Sequence, residues 1–245
     1  MTDNLVTQIK TNYEDVKDKV INAALKSGRN PDSIRLIVVT KSQPLEIVKA
    51  AVEAGAIFLG ENYAEEALEK IIALESKSGV EWHMIGHVQS RKAELVANHF
   101  NYLHSLDGLK LAKRLDRVLG ESDKKLPVLL EFNIGGEDSK YGWQAADEKK
   151  WQNFLPEIKQ ILDLHHLKVE GLMTMPPYYG ESELIRPYFS KLRRLRGYLT
   201  EKFPSSSWKE LSMGTSSDFE IAVEEGATFI RVGQAILGKR LTKRG

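Results

Sequence analysis

Cysteine is absent from the 245 residues, which removes disulfides, thiol nucleophiles and thiolate metal sites from consideration. No apolar run approaches the roughly 20 residues that a membrane-spanning helix needs. The opening residues, Met1-Thr2-Asp3-Asn4-Leu5, lack the basic-then-apolar layout of a secretory signal. Neither sign of charge prevails, since 35 basic residues stand against 34 acidic ones and leave a formal charge of +1. A chain so balanced has no general attraction for nucleic acid or an anionic membrane. The expectation is a cytoplasmic protein with neither as partner. Proline and glycine are few, at 8 and 18 residues, and nowhere gather into a linker, so residues 1–245 are expected to form one domain.

What is there is a rhythm. The polar stretch 4–27 carries Ile9, Val16, Val20 and Ala23 at amphipathic spacing, which predicts a helix lying on the bottom or a flank of the fold. Arg35-Leu36-Ile37-Val38-Val39-Thr40-Lys41 reads as a strand buried on both faces. Ser42-Gln43-Pro44 then starts a helix with Pro44 in its first turn. Further strands are expected at 56–60, 81–86, 102–105, 127–133, 169–173, 208–213 and 229–232. Between them lie helical stripes: Ala64, Ala67, Leu68, Ile71 and Ile72; Leu111, Leu115, Val118 and Leu119; Tyr188, Leu192, Leu195 and Leu199. Pro156 should divide the helix that holds Trp151, Phe154, Leu155, Ile158 and Leu162. The cations Lys191, Arg193, Arg194 and Arg196 read as a solvated face. Eight strand–helix alternations in a chain of this length point to a single-domain α/β fold, the TIM (β/α)8 barrel.

Ligands of such barrels sit at the carboxyl ends of the strands, where Lys41 falls. A lysine poorly solvated there has a lowered pKa and a nucleophilic amine, suited to a Schiff base; a lysine that snorkels to solvent is the bland alternative. The seventh strand ends in Leu211-Ser212-Met213-Gly214-Thr215-Ser216-Ser217-Asp218-Phe219-Glu220. Ser217 and Glu220 fit a capping box, so a helix over 217–225 should aim N–H groups at a loop in which Gly214, Thr215 and Ser216 line an anion. The eighth strand runs into Arg231-Val232-Gly233-Gln234, where Gly233 would admit an anion to the backbone. In a closed barrel these phosphate loops adjoin Lys41, so a phosphorylated aldehyde could span them. Pyridoxal 5′-phosphate (PLP) is such a molecule, and Arg231 is the candidate partner of its pyridine nitrogen. Arg231 can donate a hydrogen bond but does not readily give up a proton, which leaves the ring a weak electron sink. Lys140, in the Gly-rich stretch 134–142, is a secondary candidate. His83 and His87 lack the helical spacing of a zinc pair, and no metal is expected.

The matching stretches Val39-Thr40-Lys41, Gly60-Glu61-Asn62-Tyr63, Trp82-His83-Met84-Ile85-Gly86 with Gln89, Asn133 with Gly136, Glu137, Lys140 and Gly142, Glu170-Gly171-Leu172-Met173, Leu211-Ser212-Met213-Gly214 and Arg231-Val232-Gly233 resemble the pyridoxal phosphate homeostasis proteins, the YggS/PROSC family. The resemblance covers about 36–238. It implies a barrel like the amino-terminal domain of alanine racemase, with Lys41 as the aldimine lysine. The cofactor residues expected are then Lys41, Asn62, Ser212, Gly214, Thr215, Ser216, Arg231, Gly233 and Gln234. Four positions depart from the family pattern: Thr215 replaces a common methionine, Arg91 an asparagine, Gln234 a threonine and Leu237 a phenylalanine. The implied role is PLP homeostasis, by buffering the cofactor or delivering it to apo PLP-dependent enzymes. Racemases of this barrel type carry a further carboxyl-terminal domain with the opposing tyrosine base, whereas this sequence ends at Gly245 soon after strand eight; a non-catalytic role is expected. A PLP-dependent amino-acid racemase and a Schiff-base aldolase are the alternatives.

Overall fold

The computed structural model describes residues 2–77, 79–177 and 182–239. Its barrel strands are β1 (Arg35–Val39), β2 (Phe58–Glu61), β3 (Glu81–Met84), β4 (Tyr102–Leu106) and β5 (Leu126–Asn133), then, after a two-residue strand β6 (Trp143–Gln144), β7 (Leu167–Met173), β8 (Glu210–Ser212) and β9 (Phe229–Val232). All pairings are parallel. β9 closes on β1 with Ile37 opposite Arg231, and β4 closes on β5 through an irregular register. Strand β6 extends β5 beyond the barrel, pairing Phe132 with Trp143; it follows directly on the Gly-rich stretch, where no strand was expected.

Helices α1 (Thr2–Lys26), α2 (Leu45–Glu53), α3 (Ala64–Ala73), α4 (Ala93–His99), α5 (Leu109–Gly120), α6 (Leu155–Leu162), α7 (Arg186–Lys202), α8 (Phe219–Glu224) and α9 (Gln234–Leu237) lie outside the strands. Leucine, valine and alanine side chains between the two layers form the larger core. The inside of the barrel holds a smaller one, Ile37, Tyr102, Leu129, Met173 and Phe229. Helix α1 buries all four of the residues its spacing singled out. It lies on the flank rather than the bottom, against α2, α8 and α9. Arg29, just beyond α1, donates to the Val223 carbonyl at 2.6 Å and Asn12 of α1 to that of Ile236 at 2.9 Å, so α1 and the turn after it brace the two helices beside the β9–β1 seam.

Several expectations need local correction. Strand β1 stops at Val39, and Lys41 lies in the turn beyond it. Pro44 caps α2 instead of entering its first turn. On α3, Ile72 is 62% exposed while Lys70 is 5% exposed; the buried stripe is Ala64, Ala67, Lys70 and Leu74 because the cation has carboxylates to meet inside. Phe189 takes the place assigned to Tyr188 at the head of the α7 stripe. The basic face of α7 is partly paired, Arg193 with Glu225 at 3.2 Å and Arg194 with Glu148 at 2.5 Å. Pro156 acts as foreseen, in the first turn of α6 after a 3-10 stretch over Glu148–Phe154.

The Ser217–Glu220 capping box does not form. Asp218 stands at the amino end of α8, which begins at Phe219, and its Oδ1 accepts from the Thr215 N–H at 2.5 Å and the Thr215 hydroxyl at 3.1 Å. The helix starts one residue later than the box requires, so Ser217 lies outside the cap position, and Asp218, which holds that position, turns its carboxylate back to Thr215.

Candidate functional site

A cleft of about 1270 Å³ opens at the carboxyl ends of the strands. Lys41 lines it from the turn after β1, and that turn is held on both sides. Before the lysine, the Thr40 hydroxyl donates to Glu61 Oε1 at 2.7 Å, and the Thr40 carbonyl accepts from Lys70 Nζ at 3.0 Å. After it, the Ser42 N–H donates to Glu66 Oε1 at 2.7 Å, with Ser42 at a φ of +57°. Lys70 Nζ joins both carboxylates, at 2.8 Å from each. Three side chains of β2 and α3 thus fix the backbone that carries Lys41. Burial holds the Glu61 carboxyl above its usual range in spite of Lys70.

Arg231, on β9, is 3% exposed and reaches the cleft from below. Its guanidinium donates to the Ser212 hydroxyl oxygen, to the Thr174 carbonyl at 2.9 Å and to Met175 Sδ at 2.9 Å. Burial pushes its pKa down to about 10, so it remains a cation at neutral pH. Behind it runs a line of polar groups through the barrel interior: Ser212 Oγ lies 2.8 Å from His104 Nδ1, and His104 Nε2 lies 2.9 Å from His83 Nδ1. Burial keeps both imidazoles neutral, pushing His83 down to about 3 and His104 well below its ordinary value. The direction of the line is set by Arg231. A guanidinium only donates, so Ser212 accepts from it and gives its own proton to His104 Nδ1; His104 then donates from Nε2 to His83.

The β8 and β9 loops meet beside Lys41. The N–H groups of Gly233 and Ala235 converge on Ser216 Oγ, each at 3.3 Å. A Cβ on Gly233 would stand 3.1 Å from the Val39 carbonyl, so glycine there keeps the loop close to β1. Thr215, Ser216, Gly233 and Gln234 all line the cleft, as do Asn62 and Lys140. Ser212 and Gly214 do not. Ser212 is fully buried beneath Arg231. Gly214 has a φ of +95°, accepts from the Arg231 N–H at 3.0 Å, and has Ala222 Cβ 2.5 Å from where its own would be. The Thr215 N–H is taken by Asp218, which leaves those of Gly233 and Ala235 facing an oxygen.

Reading the sequence missed Glu131 and the His83–His104 pair. Glu131 sits in β5 with 7% of its surface exposed and is among the residues that line the cleft. Its one sequence signal is an acid inside the apolar run Val128–Phe132. Asn133 clamps the loop after β5: its Nδ2 donates to the Glu137 carbonyl at 2.7 Å and its Oδ1 accepts from the Gly136 N–H at 2.8 Å. That loop brings Lys140 to the rim. Among the described residues no cluster of His, Asp or Glu could hold a metal ion.

Residues 8–240 match the family described as alanine racemase, N-terminal domain. The pyridoxal phosphate homeostasis protein of Vibrio alginolyticus is 35% identical over 239 residues, 96% of this chain and 99% of that one. That of Aquifex aeolicus is 36% identical over 225 residues, 92% of this chain and 95% of the relative. The chain belongs to the pyridoxal phosphate homeostasis family. Among solved structures, PipY of Synechococcus elongatus with PLP bound superposes at a TM-score of 0.81 with 32% identity, covering 94% of this chain and all of that one. An alanine racemase of Clostridium difficile shares the fold at a TM-score of 0.67 and 15% identity, with this chain matching 58% of its length. The family thus has the barrel that the strand rhythm and the β9–β1 closure describe.

Proposed function

We propose that the cleft binds pyridoxal 5′-phosphate covalently and reversibly at Lys41, and that the protein serves PLP homeostasis in the cytoplasm by buffering the cofactor or handing it to apo PLP-dependent enzymes. The observation that carries this is the convergence, in one cleft, of a lysine on a fixed turn, a buried guanidinium, and two backbone N–H groups already aimed at an oxygen. An anionic phosphate oxygen is a stronger acceptor than the Ser216 hydroxyl those groups now meet. On this reading Gly233 supplies its N–H to the phosphate, with Thr215, Ser216 and Gln234 around it. Asn62 borders the ring and Arg231 donates to the pyridine nitrogen. Ser212 and Gly214 act from behind, by holding the Arg231 side chain and backbone. When bound, the cofactor supplies an aldehyde that condenses with an amine. The chain supplies the amine, holds the phosphate and offers the ring nitrogen a donor that keeps its proton. A partner that does not protonate the ring leaves it poorly able to stabilise a carbanion, which supports a carrier in preference to a catalyst.

Borohydride reduction of the protein with PLP, followed by peptide mass mapping beside Lys41→Ala, tests the reading. One adduct on Lys41, lost in the variant, is the expected result, together with no sustained racemisation of amino acids by the loaded protein. Scattered labelling, labelling of Lys140 alone, or no adduct would overturn the site. Steady racemisation would overturn the carrier role.

A further inference from the structure

Glu131 has no part in holding the fold that would explain its burial. Its Oε2 is buried and meets no hydrogen-bond partner; Glu61 Oε2 is in the same position, but the other Glu61 oxygen is held by Thr40 and Lys70, whereas the Glu131 carboxyl has no hydrogen bond at all among the described residues. Burial, and the charge of Asp107 beyond β4, push the Glu131 carboxyl up to about 7, against the opposing pull of Arg231 on β9 and Lys140 in the loop after β5. An unpartnered polar atom inside a protein is destabilising. One carried by a residue that lines a ligand cleft marks where a ligand group belongs.

Topology says which group. Strand β5 lies across the barrel from β1, four strands away in either direction. With the aldehyde carbon at Lys41 and the phosphate on the β8 and β9 loops, the substituent flanking the aldehyde on the other side is turned toward the β2–β5 half of the rim. In PLP that substituent is the ring hydroxyl. We propose that Glu131 is a specificity-determining residue that hydrogen-bonds the ring hydroxyl of the cofactor. This deepens the cofactor reading above and rests on it. One proton lies between the two oxygens, given by the hydroxyl to a carboxylate or by the carboxylic acid to a phenolate, so no other reactant is needed. A phosphorylated aldehyde without the adjacent hydroxyl would leave Glu131 unpaired, which is how a buried polar group rejects an analogue.

The test is a double cycle of ligand against residue. Dissociation constants for PLP and for 3-deoxypyridoxal 5′-phosphate are measured with the wild type, Glu131→Gln and Glu131→Leu, alongside the absorption spectrum of each complex and the thermal melt of each ligand-free protein. Loss of the hydroxyl also changes imine formation by itself, so the decisive quantity is the change in preference between proteins. The wild type should prefer PLP by about tenfold more than Glu131→Leu does, the worth of one hydrogen bond to a charged group. Glu131→Leu should melt higher, because an unpartnered carboxyl has become apolar. In Glu131→Gln the spectrum of bound PLP should change while that of the bound deoxy compound does not. The same preference in the wild type and Glu131→Leu overturns the proposal, as does a spectrum of bound PLP indifferent to Glu131→Gln. Failure of either ligand to label wild-type Lys41 is a different result, which removes the cofactor reading and this inference with it.

Discussion

Replacing Lys70 by methionine removes the cation that joins Glu61, Glu66 and the Thr40 carbonyl. Glu61 is wholly buried, and its Oε1 would keep only the Thr40 hydroxyl. Breaking a buried ion pair from one side destabilises by about 3–5 kcal/mol, a large share of the roughly 5–15 kcal/mol that holds a domain together. The penalty should depend on pH with a definite sign. Burial already raises the Glu61 carboxyl with Lys70 beside it, and without the cation it rises further. A carboxyl raised in the folded state retains a proton that the unfolded chain has released, so folding loses stability as pH rises. The variant should therefore come closest to the wild type near pH 5 and fall furthest behind near pH 8. Guanidinium unfolding followed by tryptophan fluorescence at both pH values measures this. The double variant Glu61→Gln, Lys70→Met should recover most of the loss, because no unpaired charge remains. Its Thr40 carbonyl still lacks the Lys70 ammonium, so borohydride labelling of Lys41 by PLP should stay slower than in the wild type despite the regained stability. A Lys70→Met variant within about 1 kcal/mol of the wild type at pH 8, or a double variant no better than the single, would refute the reasoning.

Acid should weaken the fold through the interior histidines. The folded state keeps His83 and His104 neutral, so their contribution is complete above the unfolded value of 6.5 and lost below it, by about 2 kcal/mol each at pH 5. Urea unfolding at pH 7.5 and 5 reads the sum, and proton NMR should find two of the six histidines silent between pH 8 and pH 5. Glu131 acts oppositely. Its raised carboxyl, at about 7, stabilises the ligand-free protein at low pH and ceases to do so as pH rises through 7. The stability difference between wild type and Glu131→Gln should move by about 2 kcal/mol in favour of the wild type between pH 7 and pH 5. Gly171→Ala should destabilise by about 3 kcal/mol, because its Cβ would lie 1.9 Å from the Glu210 carbonyl oxygen of the neighbouring strand; a thermal melt equal to that of the wild type would contradict the approach of β7 to β8.

The barrel was legible because its strands are buried on both faces and alternate with helical stripes, a pattern that leaves few architectures. Lys41 was legible for the same reason, as a cation ending an apolar run. What escaped is set by pairs distant in sequence. Nothing within residues 64–73 says that Lys70 turns inward, since its partners are the Thr40 carbonyl and Glu61. The capping box at Ser217 was a sound local reading that failed because the helix begins one residue later, with Asp218 at the cap position and bonded back to Thr215. Ser212 and Gly214 belong to the loops that were identified, yet their side of the backbone faces Arg231 and α8 rather than the cleft, a distinction that strand phase alone does not supply.

The His83–His104–Ser212 line makes that phase matter. Arg231 commits two nitrogens to Ser212, Thr174 and Met175, so its guanidinium is oriented before any ligand arrives. A neutral His104 behind Ser212 accepts the serine proton, which leaves the serine lone pairs to the arginine; a charged imidazole there would instead donate and repel. The neutrality of the histidines and the fixed direction of the guanidinium are therefore one arrangement. It places at the cleft floor a cation that donates, its direction set by these hydrogen bonds and its charge supported by Asp218 and Glu131 against the opposing effect of burial. A group that left a proton on the nitrogen of a bound pyridine ring would make that ring the stronger electron sink. The interior hydrogen-bond line, more than any residue lining the cleft, fixes the direction of the donor that the proposed reading assigns to the ring nitrogen.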